Sequence, residues 1–163
     1  MLAFLLTILF LYMSWPVLGN SSWRWLTHTR PWHLLPIAIV LTLFIEIYFV
    51  TKLGGVKNLK RAIVFVTLAN ILSFLSTYII CFIHDLIYPD IFPLSYILEY
   101  SPFYNVGRFY LLTTLVVEIP VVYFGLKRYT QTKLKFLFFL VLSNIVTTVI
   151  VAGIERIFAY GKY

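Results

Sequence analysis

Residues 42–73 read TLFIEIYFVTKLGGVKNLKRAIVFVTLANILS, and residues 114–147 read TLVVEIPVVYFGLKRYTQTKLKFLFFLVLSNIVT. The second stretch repeats the plan of the first. Thr42, Leu43, Glu46 and Ile47 align without gaps on Thr114, Leu115, Glu118 and Ile119, and Phe65, Leu68, Asn70, Ile71 and Ser73 align on Phe139, Leu142, Asn144, Ile145 and Thr147. The offset is 72 in the first block and 74 in the second, so the second copy carries two more residues in its basic connector. Leu and Ile matches between apolar segments prove little. A Glu and an Asn recurring in register inside such segments are the informative ones, and they mark a tandem duplication of a two-helix hairpin.

Of the 163 residues, 61% are hydrophobic and 12% charged, with a mean hydropathy of +0.93. Soluble domains do not reach that range, which points to an all-α, polytopic membrane helical bundle. The length allows one membrane domain over 1–163 and no appended soluble module, so any chemistry belongs in the bilayer or in a surface loop. The lone Cys81 excludes an intrachain disulfide and a cysteine-only metal site. A net charge of +7 resembles that of a nucleic-acid binder. The positions of the charges follow membrane topology instead, and no nucleic-acid partner is expected.

Residues 1–19 are nearly all apolar and end in Val17-Leu18-Gly19, a small-residue pattern that a signal peptidase accepts. The positive n-region of a secretory signal is missing, and about 20 apolar residues suffice to span. A retained N-terminal helix giving five spans is the expectation, with cleavage to four as the alternative. Residues 20–33 interleave Trp23, Trp25 and Trp32 with Arg24, His28, Arg30 and His33, a composition that belongs at the headgroup layer.

The first hairpin repeat occupies 34–83: a span from about 34 to 50 with Glu46, a basic connector at 51–61, and a span from about 62 to 83. In the latter, Thr67, Asn70, Ser73 and Thr77 share one helical stripe. Residues 84–107 form a polar-aromatic loop whose Pro89, Pro93 and Pro102 forbid one continuous helix. The second repeat occupies 108–154, with Glu118 and Pro120 on its first span, a connector at 125–135, and a last span from about 136 to 154.

The two connectors hold eight of the thirteen Lys and Arg and no acid, whereas Asp85, Asp90, Glu99 and Glu155 fall on the other side. By the positive-inside bias both connectors are expected to be cytoplasmic, with loop 84–107 external, in a protein of the cell membrane. Each repeat has an even number of spans, so both copies enter the membrane in the same sense, which predicts a pseudo-two-fold axis along the membrane normal. Positive-inside topology and attraction to anionic headgroups account for the connectors in full.

Glu118 lies nine residues before Lys127 and Asn144 nine after Lys135, so helical rise sets both roughly 13 Å from the connector end. Asn70 lies nine residues after Arg61 and Glu46 six before Lys52. The spacing predicts a Glu–Asn hydrogen bond in each copy. A mid-membrane carboxylate costs about 2.5–3.5 kcal/mol even on lenient scales, and no Lys or Arg occurs within the four repeat spans. At least one of the two carboxyls is therefore expected to carry a proton at neutral pH, shared between them if they meet. The predicted intramembrane polar cluster is Glu46, Asn70, Glu118 and Asn144, supported by Thr42 and Thr114 one turn before each Glu and by Ser73 and Thr147.

Such a cluster reads most simply as interhelical glue, each bond worth about 1–2 kcal/mol or less. The leading expectation is then a non-enzymatic accessory or assembly subunit, whose partners are the lipid bilayer and other membrane-protein subunits. The alternative is a small proton- or cation-coupled transporter or channel using Glu46 and Glu118, since intramembrane carboxylates mark relays. A third reading is a lipid-binding protein or membrane enzyme with a site under loop 84–107. His28, His33 and His84 lie on one side with Asp85, but no HExxH, nucleophile elbow or Walker loop occurs, so no metal, cofactor or catalytic residue is predicted. A cavity reaching the glutamates from one side separates the transporter from glue, which needs them sealed and bonded.

Overall fold

The computed structural model describes residues 29–88 and 103–158, with side chains described for 34–88, 111–154, 157 and 158. Expectations for 1–28 and for the proline-rich centre of the loop, 89–102, lie outside the described residues. Among the described residues four helices are present: α1, Thr29–Tyr48, continued by a π-helical turn Phe49–Leu53; α2, Leu59–Ile87; α3, Phe103–Leu126; and α4, Lys133–Phe158.

Three segments, Leu34–Leu53, Leu59–Ile87 and Lys133–Ile154, are long and apolar enough to cross a bilayer, and α3 contributes the apolar stretch Leu111–Leu126. Val40, Phe44, Phe82, Leu86, Leu112 and Phe124 all face outward and are largely exposed. Helices apolar on their outer as well as inner faces belong in lipid, so the chain is a multi-pass membrane bundle.

Helix ends follow local chemistry. Asn58 caps α2, its side-chain oxygen accepting from the Arg61 N–H at 3.1 Å, so the helix begins three residues before the predicted position. It also runs on to Ile87, past the predicted end at 83, because nothing breaks it until Pro89 restricts the residue before it. α4 likewise extends to Lys133–Phe158 against a predicted 136–154.

Each helix packs on two neighbours in the ring α1–α2–α3–α4, with α2 against α3 the most extensive contact. The glutamate-bearing helices α1 and α3 therefore occupy one diagonal of the bundle. The packed apolar core lies at the connector end, where Val50, Val66, Val122, Leu126, Phe136 and Leu140 are buried. There the rings of Tyr123 and Phe136 stack at 5.9 Å. A Cβ on Gly125 would stand 2.4 Å from the Phe65 ring, so this α2–α3 approach requires glycine.

The two connectors are tied to each other. The Lys57 N–H donates to the Tyr129 carbonyl at 3.2 Å, and the Thr130 hydroxyl to the Gly54 carbonyl at 3.0 Å. The Arg61 guanidinium sits 4.8 Å over the Tyr129 ring. Gly55 turns the first connector with φ +74°, a conformation natural to glycine alone.

Candidate functional site

Glu46 and Glu118 are both buried, at 2% and 3% exposure, on the inner faces of α1 and α3. Glu46 is fully engaged. Its Oε2 accepts from Asn70 Nδ2 on α2 at 2.6 Å, and its Oε1 accepts from Thr147 Oγ1 on α4 at 3.0 Å. Glu118 is held at one oxygen only: Oε1 accepts from Ser73 Oγ on α2, while Oε2 is buried without a hydrogen-bond partner.

The second predicted Glu–Asn bond is not formed. Asn144 donates through Nδ2 to the Leu140 carbonyl at 2.9 Å, and its Oδ1 is buried without a partner. Glu118 meets Ser73 of α2, the helix on which α3 packs most extensively, rather than Asn144 of α4. Asn70 makes the same local bond, Nδ2 to the Val66 carbonyl at 3.0 Å, and still reaches Glu46 with its second N–H.

Ser73 and Thr147, each three residues after an Asn, make contacts that the sequence reading did not assign. Each donates to the glutamate of the other half of the chain, Ser73 to Glu118 and Thr147 to Glu46. Each also has backbone acceptors within reach: the Asn70 carbonyl for Ser73 at 3.2 Å, and the Ser143 and Asn144 carbonyls for Thr147 at 3.0 and 3.1 Å. A hydroxyl carries one hydrogen, so these acceptors compete for it. The signal was available in the sequence, since both residues stand at matching positions of the two aligned stretches.

The two carboxyls border a half-open cavity of about 400 Å³ lined by all four helices. Leu35, Ala38 and Ile39 of α1, Ile71 and Phe74 of α2 and Val151 of α4 form its apolar walls. Thr42 and Thr114 line it one turn from the glutamates, but neither hydroxyl bonds a carboxyl. Among the described residues no Lys, Arg or His side chain lines it. On α1 the lining runs from Leu35 to Glu46 and on α4 from Thr147 to Val151, so the cavity extends from the carboxyls toward the end of the bundle away from the connectors. On the connector side the apolar core closes it.

Immediately past Glu46, the π-helical turn Phe49–Leu53 closes with a bond from the Gly54 N–H to the Phe49 carbonyl at 2.7 Å. Opposite it, Pro120 interrupts the ladder of α3 two residues after Glu118. Both irregularities fall where the cavity gives way to the packed core.

The remaining candidates do not join this site. His84 and Asp85 sit at the far end of α2, Nδ1 to Oδ1 3.5 Å, and no group of metal-ligating side chains occurs among the described residues. The side chains of His28, His33, Asp90 and Glu99 lie outside the described residues. Comparison of the chain with protein-family models, with curated proteins and with solved structures returns no match.

Proposed function

We propose that the protein is a small non-enzymatic carrier that moves protons or cations across the membrane, with Glu46 and Glu118 as the binding carboxyls. The observation that carries this reading is Glu118: a buried acid on a cavity wall, with one oxygen lacking any partner. A carboxyl retained only as glue has its acceptors satisfied and sealed. Glu46 has both acceptors satisfied, and Glu118 does not.

The hydroxyl network supports the same reading. When Glu118 is ionised, Ser73 donates to it. When Glu118 gains a proton at Oε1, that proton can donate to Ser73 Oγ while the serine hydrogen turns to the Asn70 carbonyl. Thr147 offers Glu46 the same exchange through the Ser143 carbonyl. Both acids can therefore change protonation without stranding a buried donor.

Positive-inside topology sets the connectors in the cytoplasm, so the cavity faces outward and the apolar core is the inner seal. The two crossed hydroxyl–carboxyl bonds support a duplicated hairpin, with the copies facing each other across a pseudo-axis. Inward release requires the seal to part, and the π-helical turn and Pro120 supply the yielding backbone directly beneath the carboxyls.

The test is proton flux in proteoliposomes under an imposed membrane potential, read by an internal pH dye. The wild type is expected to conduct, and Glu118→Gln and Glu46→Gln are expected to fall to the level of empty liposomes. Equal flux in all three proteins would overturn the reading.

A further inference from the structure

We propose that the cavity binds an organic ammonium ion carrying a compact apolar, preferably aromatic, tail. This names the substrate class of the carrier described above and rests on that reading. Three properties of the cavity point to it. Its unmet group is an acceptor, Glu118 Oε2, which calls for a donor. Among the described residues it is bordered by two carboxyls and no cationic side chain, which calls for positive charge. Its walls beyond the carboxyls are mostly apolar, which calls for a tail.

The size of the cavity favours an occupant larger than a bare ion. An apolar cavity of about 150 Å³ takes one benzene, so about 400 Å³ holds an aromatic ring together with a short alkylammonium arm. The hydroxyls of seven Ser and Thr residues gather with the two carboxyls at the glutamate level, while Leu35, Ala38, Ile39, Ile71, Phe74 and Val151 supply apolar wall that a hydrated ion would leave unused.

The ammonium group sits at the glutamate level. Glu118 Oε2 has almost no accessible surface, so the Glu118 carboxyl turns toward the cavity to accept one N–H, and threonine hydroxyls of the lining accept the others. The tail points toward Ala38 and Ile39, away from the connectors, with the ring of Phe74 on its flank. Because the bound cation meets the same carboxyl that takes a proton, the two compete, and competition at one acid is a sufficient basis for exchanging one for the other.

Equilibrium dialysis of radiolabelled phenethylammonium against the purified full-length chain in detergent tests this. The wild type is expected to bind it saturably, and Glu118→Gln, checked for folding by circular dichroism, to lose at least about tenfold in affinity, as removal of a charge-assisted bond does. Ala38→Leu, which narrows the apolar wall without touching a carboxyl, is also expected to weaken binding. Phenethyl alcohol, the uncharged analogue, and sodium ion are expected not to displace the label. No saturable binding, displacement by the alcohol or by sodium at equal concentration, or unchanged affinity in both variants overturns the ammonium assignment. If proton flux still depends on Glu118 in that case, the carrier reading stands without it; amine binding in a protein with no carboxyl-dependent flux overturns the carrier instead.

Discussion

Thr147 on α4 donates to Glu46 on α1 at 3.0 Å across 101 residues of chain, and the same hydroxyl lies equally close to the carbonyl of Ser143. Side-chain and backbone acceptors thus compete for one hydrogen. Ser73 stands in the same position between Glu118 and the Asn70 carbonyl. A hydroxyl so placed serves as donor to a carboxylate and as acceptor from a carboxylic acid, and two of them bracket the pair of buried acids.

Replacing Thr147 by Val keeps the volume and removes the exchangeable hydrogen. Glu46 keeps Asn70, so the loss of stability is expected to stay near about 1 kcal/mol or below, read as a small drop in the detergent unfolding midpoint. Proton flux is expected to fall several-fold, and Thr147→Ser to restore it. A Val variant with full flux would remove the hydroxyl from the proton path.

The two glutamates are expected to respond differently to Gln. Glu118→Gln keeps the acceptor for Ser73 and exchanges a partnerless buried oxygen for an amide, so the unfolding midpoint should hold or rise, by up to about 3 kcal/mol if the acid was ionised. Glu46→Gln replaces one of two satisfied acceptors by a donor. Thr147 can accept from it by turning its hydrogen to the Ser143 carbonyl, which keeps the cost within about 1 kcal/mol. Chemical unfolding of both variants in one detergent gives the comparison, and a larger loss at 118 than at 46 would contradict this account of the site.

Gly125 faces the Phe65 ring across α2 and α3 with no room for a Cβ. Gly125→Ala is expected to destabilise the bundle by about 1–3 kcal/mol through overpacking, because the near edge of the ring, not only its tip, stands in the way. Phe65→Leu in the same chain should recover much of that loss. Additive losses in the double-mutant cycle would show that the two residues do not meet.

The bundle and its polar cluster were legible in the sequence because lipid imposes a simple rule: long apolar segments span, and any acid within them must find company. The spacing of Glu46, Asn70, Glu118 and Asn144 from the basic connectors predicted acids and amides at one level of the bundle. What spacing could not give was which neighbour each acid meets, since that depends on how the helices pack. One Glu–Asn bond formed, at Asn70, and the other gave way to Ser73. The cavity was illegible for a related reason: it is a property of the space between four helices, whereas periodicity describes one helix at a time. The π-helical turn after Glu46 has no sequence signature that the flanking FVTKL would disclose.

Orientation is open to direct measurement. In a Cys81→Ser background, Lys57→Cys and Lys133→Cys place thiols on exposed positions of the two connectors, and Thr42→Cys places one on the cavity wall. Positive-inside topology predicts that a membrane-impermeant maleimide added to intact cells leaves both connector thiols unlabelled until the membrane is opened. A small cationic methanethiosulfonate reaches Thr42→Cys from outside, because the cavity extends away from the connectors and its carboxyls attract positive charge. Labelling of the connector thiols in intact cells would invert the protein, and with it the side from which a cation enters. Labelling at position 42 from the inside only, with the connectors cytoplasmic, would mean that the apolar core of Val50, Val66, Leu126 and Phe136 is not a seal, and the proposed direction of access would fall.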